Sequence, residues 1–377
     1  MSNSIIFFYD HFYPDFSAGG PVTSLYNLAK LVKDTINIRI LTSAYAYQSG
    51  QKMTAIEVDC WTNYKGLPVW YASDRLSMRK AIEYCANDRS VTFYLNGLFS
   101  PSFFLYPLWL AKKSKFNIIV SPRGMLQAGA LGRGTLKKKT YLALLKWSRL
   151  LQSAKWHATD EQEALDIKFM IGSNSIVDVV ANVPLISEPV RSIVKEMGEL
   201  HLVYFSLIAE KKNLHFLLDV INSQDFTNLQ LSIIGPIKDK LYWSRCLKLM
   251  RAIIHPQRVK YLGEIAPEKI KDTLANYHAL VLPTLGENFG HAIVEMLACS
   301  RPVIISDKTP WNDIENQGAG YALELNKKKW TEALNAMVGW NQKEFDARSN
   351  SASNYYQSKF NFDDLKMRYL KLFANPL

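Results

Sequence analysis

Short apolar runs rich in β-branched residues alternate with stretches whose apolar positions return every three or four residues, and the alternation persists along the whole chain. In the first half, runs at 5–9, 36–42, 69–72, 91–95, 116–121, 156–158 and 176–180 predict strands, and 21–33, 78–86, 136–151 and 161–169 predict helices. The second half repeats the pattern, with strands expected at 202–207, 229–234, 259–262, 279–282, 303–306 and 321–323. Residues 43–66 show no clear period and read as a long loop or an extra hairpin. Alternation of this kind is the signature of doubly wound α/β sheets. At 377 residues the chain is long for one core and sufficient for two. The sequence ANVPLISEP at 181–189 has two prolines and leads into a polar stretch, which places a boundary there.

The most informative stretch is 279–311, ALVLPTLGENFGHAIVEMLACSRPVIISDKTPW. A strand, a glycine-containing turn, a helix from about His291 to Cys299 and a second strand make a βαβ unit. In a parallel sheet that turn lies at the ligand-binding edge, and the helix it opens presents unpaired N–H groups suited to phosphate. Gly290, lacking a Cβ, lets an oxyanion approach the backbone. Glu287 can reach into the crevice from just before the helix. Glu295 falls inside the apolar run AIVEMLA, where an unpaired charge is costly. Its partner is either structural, such as a backbone N–H, or a ligand hydroxyl.

The sequence E-N-F-G-H-A-I-V-E, followed by A-C-S-R-P-V-I-I-S-D, resembles the E-x7-E element of the retaining GT-B glycosyltransferases of family 4. The resemblance implies a GT-B fold, α/β with two Rossmann-like doubly wound domains facing a central cleft. The N-terminal, acceptor-binding domain would span 1–185 and the nucleotide-sugar domain 190–354, with a closing helix in 355–377 returning to the first. It implies a metal-independent transfer without a cofactor, from a nucleotide diphosphate sugar to a glycan or polyprenyl diphosphate-linked acceptor. Glu287 would contact the donor sugar, the amides of Asn288, Phe289, Gly290 and His291 the distal phosphate, and Glu295 the ribose. Gly235 and Gly263, each ending a predicted strand, would border the nucleotide. Lys212 would neutralise the departing diphosphate. UDP is favoured as the base carrier, with GDP-mannose as the nearest competitor.

Other motifs carry both a structural and a functional reading. In DFSAGGP, Gly19 and Gly20 make a tight turn before a helix with Pro21 near its first position, and within the resemblance they match a loop lying against donor phosphates and acceptor. In SPRGM, Arg123 ends a strand where its planar fork suits a phosphate or a glycan acid, at a position where many relatives carry histidine. It is therefore a candidate for catalysis and for acceptor binding. In HATDEQE, Thr159 or Asp160 caps a helix, and His157 is either a satisfied strand-end histidine or an acceptor contact. Asn182 matches a family Asn that is usually followed by Gly, which is missing here. Asp363 and Asp364 read as helix-capping rather than metal-binding carboxylates. The largest departure is in FSLIAEKKN, where Leu207 occupies the position of a phosphate-binding Arg. Arg123, Lys211 or another cation compensates, or transfer is slow, or the chain is a non-catalytic glycan-binding relative.

Charge sharpens this picture. The net charge is +11, yet 89–159 contains twelve Lys or Arg and no acid, which accounts for the whole excess. A nucleic-acid binder would spread its charge, whereas a single acid-free region suits one anionic face, so no nucleic-acid partner is expected. The segment GRGTLKKKTYLALLKWSRLL predicts an amphipathic helix with Trp147 at its boundary, packed on the core with a solvated basic face or lying on anionic lipid. The basic segment 112–155 would then meet the membrane surface. Four scattered cysteines suggest neither disulfide framework nor metal site. The N-terminus reads as a first strand rather than a signal peptide, and no apolar run reaches a membrane span of about 20 residues. These features predict a cytoplasmic protein, peripheral on the inner face of the membrane.

Overall fold

The computed structural model describes residues 4–15, 18–85, 91–127, 135–184, 192–224, 226, 228–253 and 255–374. It divides into two compact units, one comprising Met1–Val183 with Phe362–Leu377 and the other Pro184–Asn361. Residues 185–191, within the stretch where the sequence places the boundary, lie outside the described residues.

The first unit is built on an eight-stranded sheet of order β3-β4-β2-β1-β5-β6-β7-β8. Its strands are β1 (Ser4–Phe8), β2 (Asn37–Ser43), β3 (Trp61–Tyr64), β4 (Leu67–Ala72), β5 (Val91–Asn96), β6 (Asn117–Ser121), β7 (Ala154–Ala158) and β8 (Val177–Val179). All neighbours pair in parallel except β3 with β4. Central strands in such a sheet are covered on both faces, so β1 and β5 are buried at every position. Alternate residues still part into two layers. Ile5 and Phe7 pack with α1 (Gly20–Val32) and with the last helix, Phe362–Ala374. Ile6 and Phe8 pack with α2 (Arg75–Cys85), α3 (Tyr106–Ser114), α4 (Thr135–Trp147) and α5 (Glu161–Met170).

One element resolves an alternative the sequence left open, and two others were not expected from it. The aperiodic stretch 43–66 ends in a hairpin, β3 to β4, turning at Lys65 and Gly66 with φ of 52° and 83°. The apolar run from Pro101 winds into one π-helical turn, Pro101–Leu105, and then α3. Two prolines and a block of aromatics hide any helical period there. The return to the first unit begins at Phe362 rather than 355, because α11 (Gln342–Lys359), started by an Asn341–Glu344 capping box, keeps 355–359 in the second unit.

The second unit carries a six-stranded, wholly parallel sheet of order β11-β10-β9-β12-β13-β14. The strands are β9 (Leu200–Phe205), β10 (Leu229–Ile234), β11 (Val259–Gly263), β12 (Ala279–Leu282), β13 (Val303–Ser306) and β14 (Gly320–Leu323). Strand β9 stops two residues short of the expected end, leaving Leu207 in the following loop. Helices α6 (Leu214–Ile221), α7 (Lys240–Ala252), α8 (Pro267–Leu274), α9 (His291–Ala298), α10 (Lys327–Gly339) and α11 complete the unit. Among the described residues no helix is long and apolar enough to cross a membrane.

Candidate active site in the second unit

Chain order in the second sheet reverses at β9, whose neighbours are β10 on one side and β12 on the other. The loops leaving β9 and β12 therefore diverge, and the crevice between them is where open parallel sheets bind ligands. The β9 loop forms a short turn, Glu210–Lys212, and the β12 loop runs from Pro283 to Gly290. Backbone and side-chain bonds stitch the two together. Leu285 N–H donates to the Lys211 carbonyl at 2.8 Å, and the Thr284 hydroxyl donates to the same carbonyl at 3.2 Å. Glu287 is set from the other side by its N–H on the Lys308 carbonyl, 3.0 Å away.

This stitching brings together two residues 75 positions apart. The Lys212 ammonium donates to the Glu287 carboxylate, and both side chains are largely buried. A cation and an acid thus face each other across the switch point. Lys211 is exposed beside them, and a Cβ built on Gly286 would sit 3.6 Å from its Cε, so the Lys211 stem runs over the β12 loop. Leu207, in the β9 loop, is half-buried.

Helix α9 opens at this same turn. Gly290, its N-cap, has φ 76° and ψ 59°, a left-handed conformation that L side chains rarely adopt. No side chain caps the first turn, and the Trp311 indole N–H fixes the approach by donating to the Phe289 carbonyl at 2.7 Å. The first turn of a helix carries partial positive charge and aims its N–H groups outward, which suits an anion. Asn288, Phe289 and His291 all lie on this turn, with the Phe289 and His291 rings 4.8 Å apart.

Glu295 lies one turn further along α9 and is only 5% exposed. Among the described residues its carboxyl accepts no hydrogen bond and meets no cation. Burial alone pushes its pKa up to about 8. Of the two partners open in the sequence, the structural one is absent among the described residues. Gly235 follows β10 and Gly263 ends β11 at the same edge, and Gly235 N–H donates to the Gly263 carbonyl at 2.8 Å. A side chain at Gly235 is excluded, since a Cβ would meet the Ser206 carbonyl oxygen at 2.0 Å.

Residues 188–352 match the family described as Glycosyl transferases group 1. The second unit is a group 1 glycosyltransferase domain. A 111-residue stretch is 29% identical to the O-antigen chain mannosyltransferase RfbU of Salmonella typhimurium, spanning 29% of this chain and 29% of that relative. Among solved structures, sucrose-phosphate synthase from Thermosynechococcus elongatus has a TM-score of 0.73 at 14% identity, over 99% of this chain and 98% of its own. The Anabaena protein HepE in complex with UDP-glucose has a TM-score of 0.71 at 13% identity, over 98% of this chain and 99% of its own. At these identities the likeness is one of fold, and that fold is GT-B, two Rossmann-like units in one chain.

In the first unit, two residues expected at the site are engaged in structure. Arg123 has a left-handed backbone, φ 54°, that turns its side chain back onto the sheet. Its guanidinium donates to Asn96 Oδ1 at 3.0 Å, Ser24 Oγ at 3.0 Å, Asn182 Oδ1 at 2.5 Å and the Tyr94 hydroxyl at 2.9 Å. Burial works against its charge, but Tyr94, Tyr369 and Glu163 more than offset this and hold the pKa above the usual arginine value. These four oxygens occupy its fork within the fold. Its role here is to join β5, α1 and the segment after β8.

His157 belongs to the same knot. It is fully buried, with Nδ1 2.7 Å from the Tyr94 hydroxyl and Nε2 2.8 Å from the Val180 carbonyl. Burial, then the nearby Arg123 charge, lower its pKa to about 3, so the ring is neutral and donates from Nε2 to Val180. It is a satisfied strand-end histidine, with both ring nitrogens engaged within the fold. Asn182, flagged on family grounds, accepts from Ser24 and Arg123.

The sequence places Glu163 in the first turn of the helix after HATD but does not show that it organises this region. Glu163, fully buried, accepts from the Gly124 N–H at 2.6 Å and from both the N–H and the hydroxyl of Thr159 at 2.7 Å. The signal available was the capping spacing itself, since Asp160 caps α5 and leaves Glu163 pointing back. Gly19 caps α1 at φ 79°, and Gly20 begins that helix with Pro21 in its first turn. Both lie beside residues 16 and 17, which are outside the described residues.

Proposed function

We propose that this chain is a glycosyltransferase that moves a sugar from a nucleoside diphosphate donor with retention at the anomeric carbon and without a metal. The reading rests on one observation above others: Glu295 is a buried carboxyl with no partner among the described residues, one helical turn from a phosphate-type N-terminus. A group so placed costs stability unless a ligand completes it. The two hydroxyls of a ribose are suitable partners.

In this account Lys212 exchanges Glu287 for the donor diphosphate, and Glu287, freed, accepts from hydroxyls of the donor sugar. The first turn of α9, with the backbone of Asn288, Phe289, Gly290 and His291, receives the distal phosphate. Lys211 supplies the second cation that Leu207 cannot, since Arg123 is held in the first unit's knot and Lys211 lies over Gly286. Charge building on the leaving diphosphate is stabilised by groups already in position. UDP is the favoured carrier because HepE, a relative in fold, is solved with UDP-glucose, while the mannosyltransferase RfbU supports GDP-mannose as the alternative.

The acceptor is proposed to be a lipid-linked glycan, reached from an anionic membrane surface on the cytoplasmic side. Helix α4 buries Leu142 and Leu145 in the core and exposes Leu144 and Trp147 among Lys137, Lys139 and Lys146. That outer face has the amphipathic composition of an interfacial helix. Within the basic segment, Lys155 is excluded from such a face, being buried and paired with Asp178 at 2.7 Å.

The test is donor turnover in EDTA, with UDP-glucose, UDP-N-acetylglucosamine and GDP-mannose offered separately. One donor is expected to release nucleoside diphosphate, with the sugar first appearing as the α-anomer by proton NMR. Release of the β-anomer contradicts retention. Tight nucleotide binding without any release, in the presence of membrane extract, favours the second reading that Leu207 suggests, a non-catalytic glycan-binding relative.

A further inference from the structure

The first sheet has its own switch point, and it holds a constellation that no residue of the donor site accounts for. Order reverses at β1, which lies between β2 and β5. Asp10 and His11 leave β1 at this edge, and Ser100 lies beyond β5 on the other side. The Ser100 hydroxyl donates to Asp10 Oδ1 at 2.5 Å while accepting from the Phe103 N–H at 2.9 Å, so the carboxylate is tied across the switch point by a hydroxyl of fixed direction. Next to it, the His11 ring meets the Tyr47 ring edge-on at 4.9 Å.

The histidine is set up as a donor. Its Nδ1 is sealed from solvent and has no hydrogen-bond partner. A proton there would be stranded, so the neutral ring carries it on Nε2, and burial, despite the opposing charges of Asp10 and Asp15, keeps the ring neutral by lowering its pKa. No described residue accepts from Nε2. Tyr47 is held by its N–H on Asp15 Oδ2 at 2.6 Å and by a small hairpin closed by Met53 N–H on the Ala44 carbonyl at 2.9 Å. Its ring remains 41% exposed, and Tyr45 beside it 39%.

A fixed carboxylate that accepts, an imidazole N–H that donates and an open aromatic ring are the three contacts a pyranose asks for. Adjacent hydroxyls pair with the first two, and the C–H face of the sugar covers the third. We propose that Asp10, His11 and Tyr47 form a sugar subsite in the first unit, which takes the acceptor's terminal pyranose. The subsite deepens the transferase reading but is read independently of it, because it shares no residue with the nucleotide site. It also replaces Arg123 and His157, whose polar atoms are used within the fold.

The experiment is saturation-transfer difference NMR on the full chain with methyl α- and β-pyranosides of glucose, galactose, mannose, rhamnose and N-acetylglucosamine. Wild type is compared with Asp10→Asn and Tyr47→Ala. The thermal shift given by UDP and GDP is recorded on the same samples as a measure of the second unit. Tyr47 sits on a surface hairpin, so its truncation leaves the core intact and provides the readout should Asp10→Asn fold poorly. The expected result is saturation of at least one glycoside by wild type, reduced at least about fivefold in each folded variant, with the nucleotide response unchanged. Loss of the nucleotide response with glycoside contact retained in wild type removes the donor reading and leaves the subsite standing. No saturation of any glycoside by wild type, or equal saturation by Tyr47→Ala, overturns the proposal.

Discussion

Replacing Glu295 by Gln tests the strained carboxyl directly, because the two side chains share a shape and differ in whether they titrate. The Glu295 pKa rises from 4.5 to about 8 on folding, and burial is the cause. Between these values the native state holds a proton that the unfolded chain has released. Stability contributed at this site is therefore greatest at low pH and is lost as pH climbs through that window. At 1.36 kcal/mol per unit, the difference between pH 5 and pH 9 is on the order of 4 kcal/mol. For a unit of this size that corresponds to about 10 °C in Tm. Glu295→Gln has no such term, so its Tm relative to wild type should climb steadily from pH 5 to pH 9. Whatever the amide itself costs is constant with pH and drops out of the trend. The assay is thermal unfolding of both proteins across that range at fixed ionic strength. A difference that stays flat means Glu295 is ionised and partnered in the native state, and the argument from its isolation fails.

Three further outcomes follow from particular contacts. Lys211→Ala should weaken binding of the nucleoside diphosphate about fivefold, a modest effect because the side chain is exposed, and Lys211→Arg should retain it; an unchanged calorimetric affinity in Lys211→Ala removes it as the second cation. Arg123→Lys, by stranding oxygens of Asn96, Asn182 and Tyr94, should destabilise the first unit by about 2–4 kcal/mol in urea unfolding while nucleotide affinity is unchanged. The opposite pattern, intact stability with weaker nucleotide binding, would restore the phosphate contact read from the sequence. Gly290→Ala forces a left-handed backbone on a residue with a side chain and brings its Cβ to 2.9 Å from Ile293 Cδ1. It should cost about 1–2 kcal/mol and weaken nucleotide binding by shifting the first turn of α9, whereas a variant equal to wild type in both would show that this turn carries no ligand.

The strands at 229–234, 279–282 and 303–306 were legible to the residue, because each is a short apolar run bounded by Gly, Pro or a polar cluster. Helix α9 and its turn were equally plain, and the spacing that set Glu287 and Glu295 apart needed no tertiary knowledge. What the chain did not announce was where side chains turn. Arg123 at a strand end looks like a ligand for an anion, yet its positive φ sends it inward to oxygens drawn from β5, α1 and the segment after β8. His157 was undecidable for the same reason, since Tyr94 and Val180 are distant in sequence. The pairing of Lys212 with Glu287 emerges only when β9 and β12 become neighbours in the sheet. Local pattern fixes elements, while the identity of a polar group's partner depends on strand order.

The central claim is that the β9 and β12 loops, with Glu295 behind them, hold a nucleoside diphosphate. The most direct measurement is isothermal titration calorimetry of UDP, GDP and ADP into wild type and Glu295→Ala, in EDTA. The account predicts that one nucleotide binds wild type and that Glu295→Ala lowers its affinity at least about tenfold, the loss of a buried hydrogen-bonded contact of about 1.4 kcal/mol or more. Binding of equal strength by both proteins, or heat from none of the three nucleotides with wild type, contradicts it.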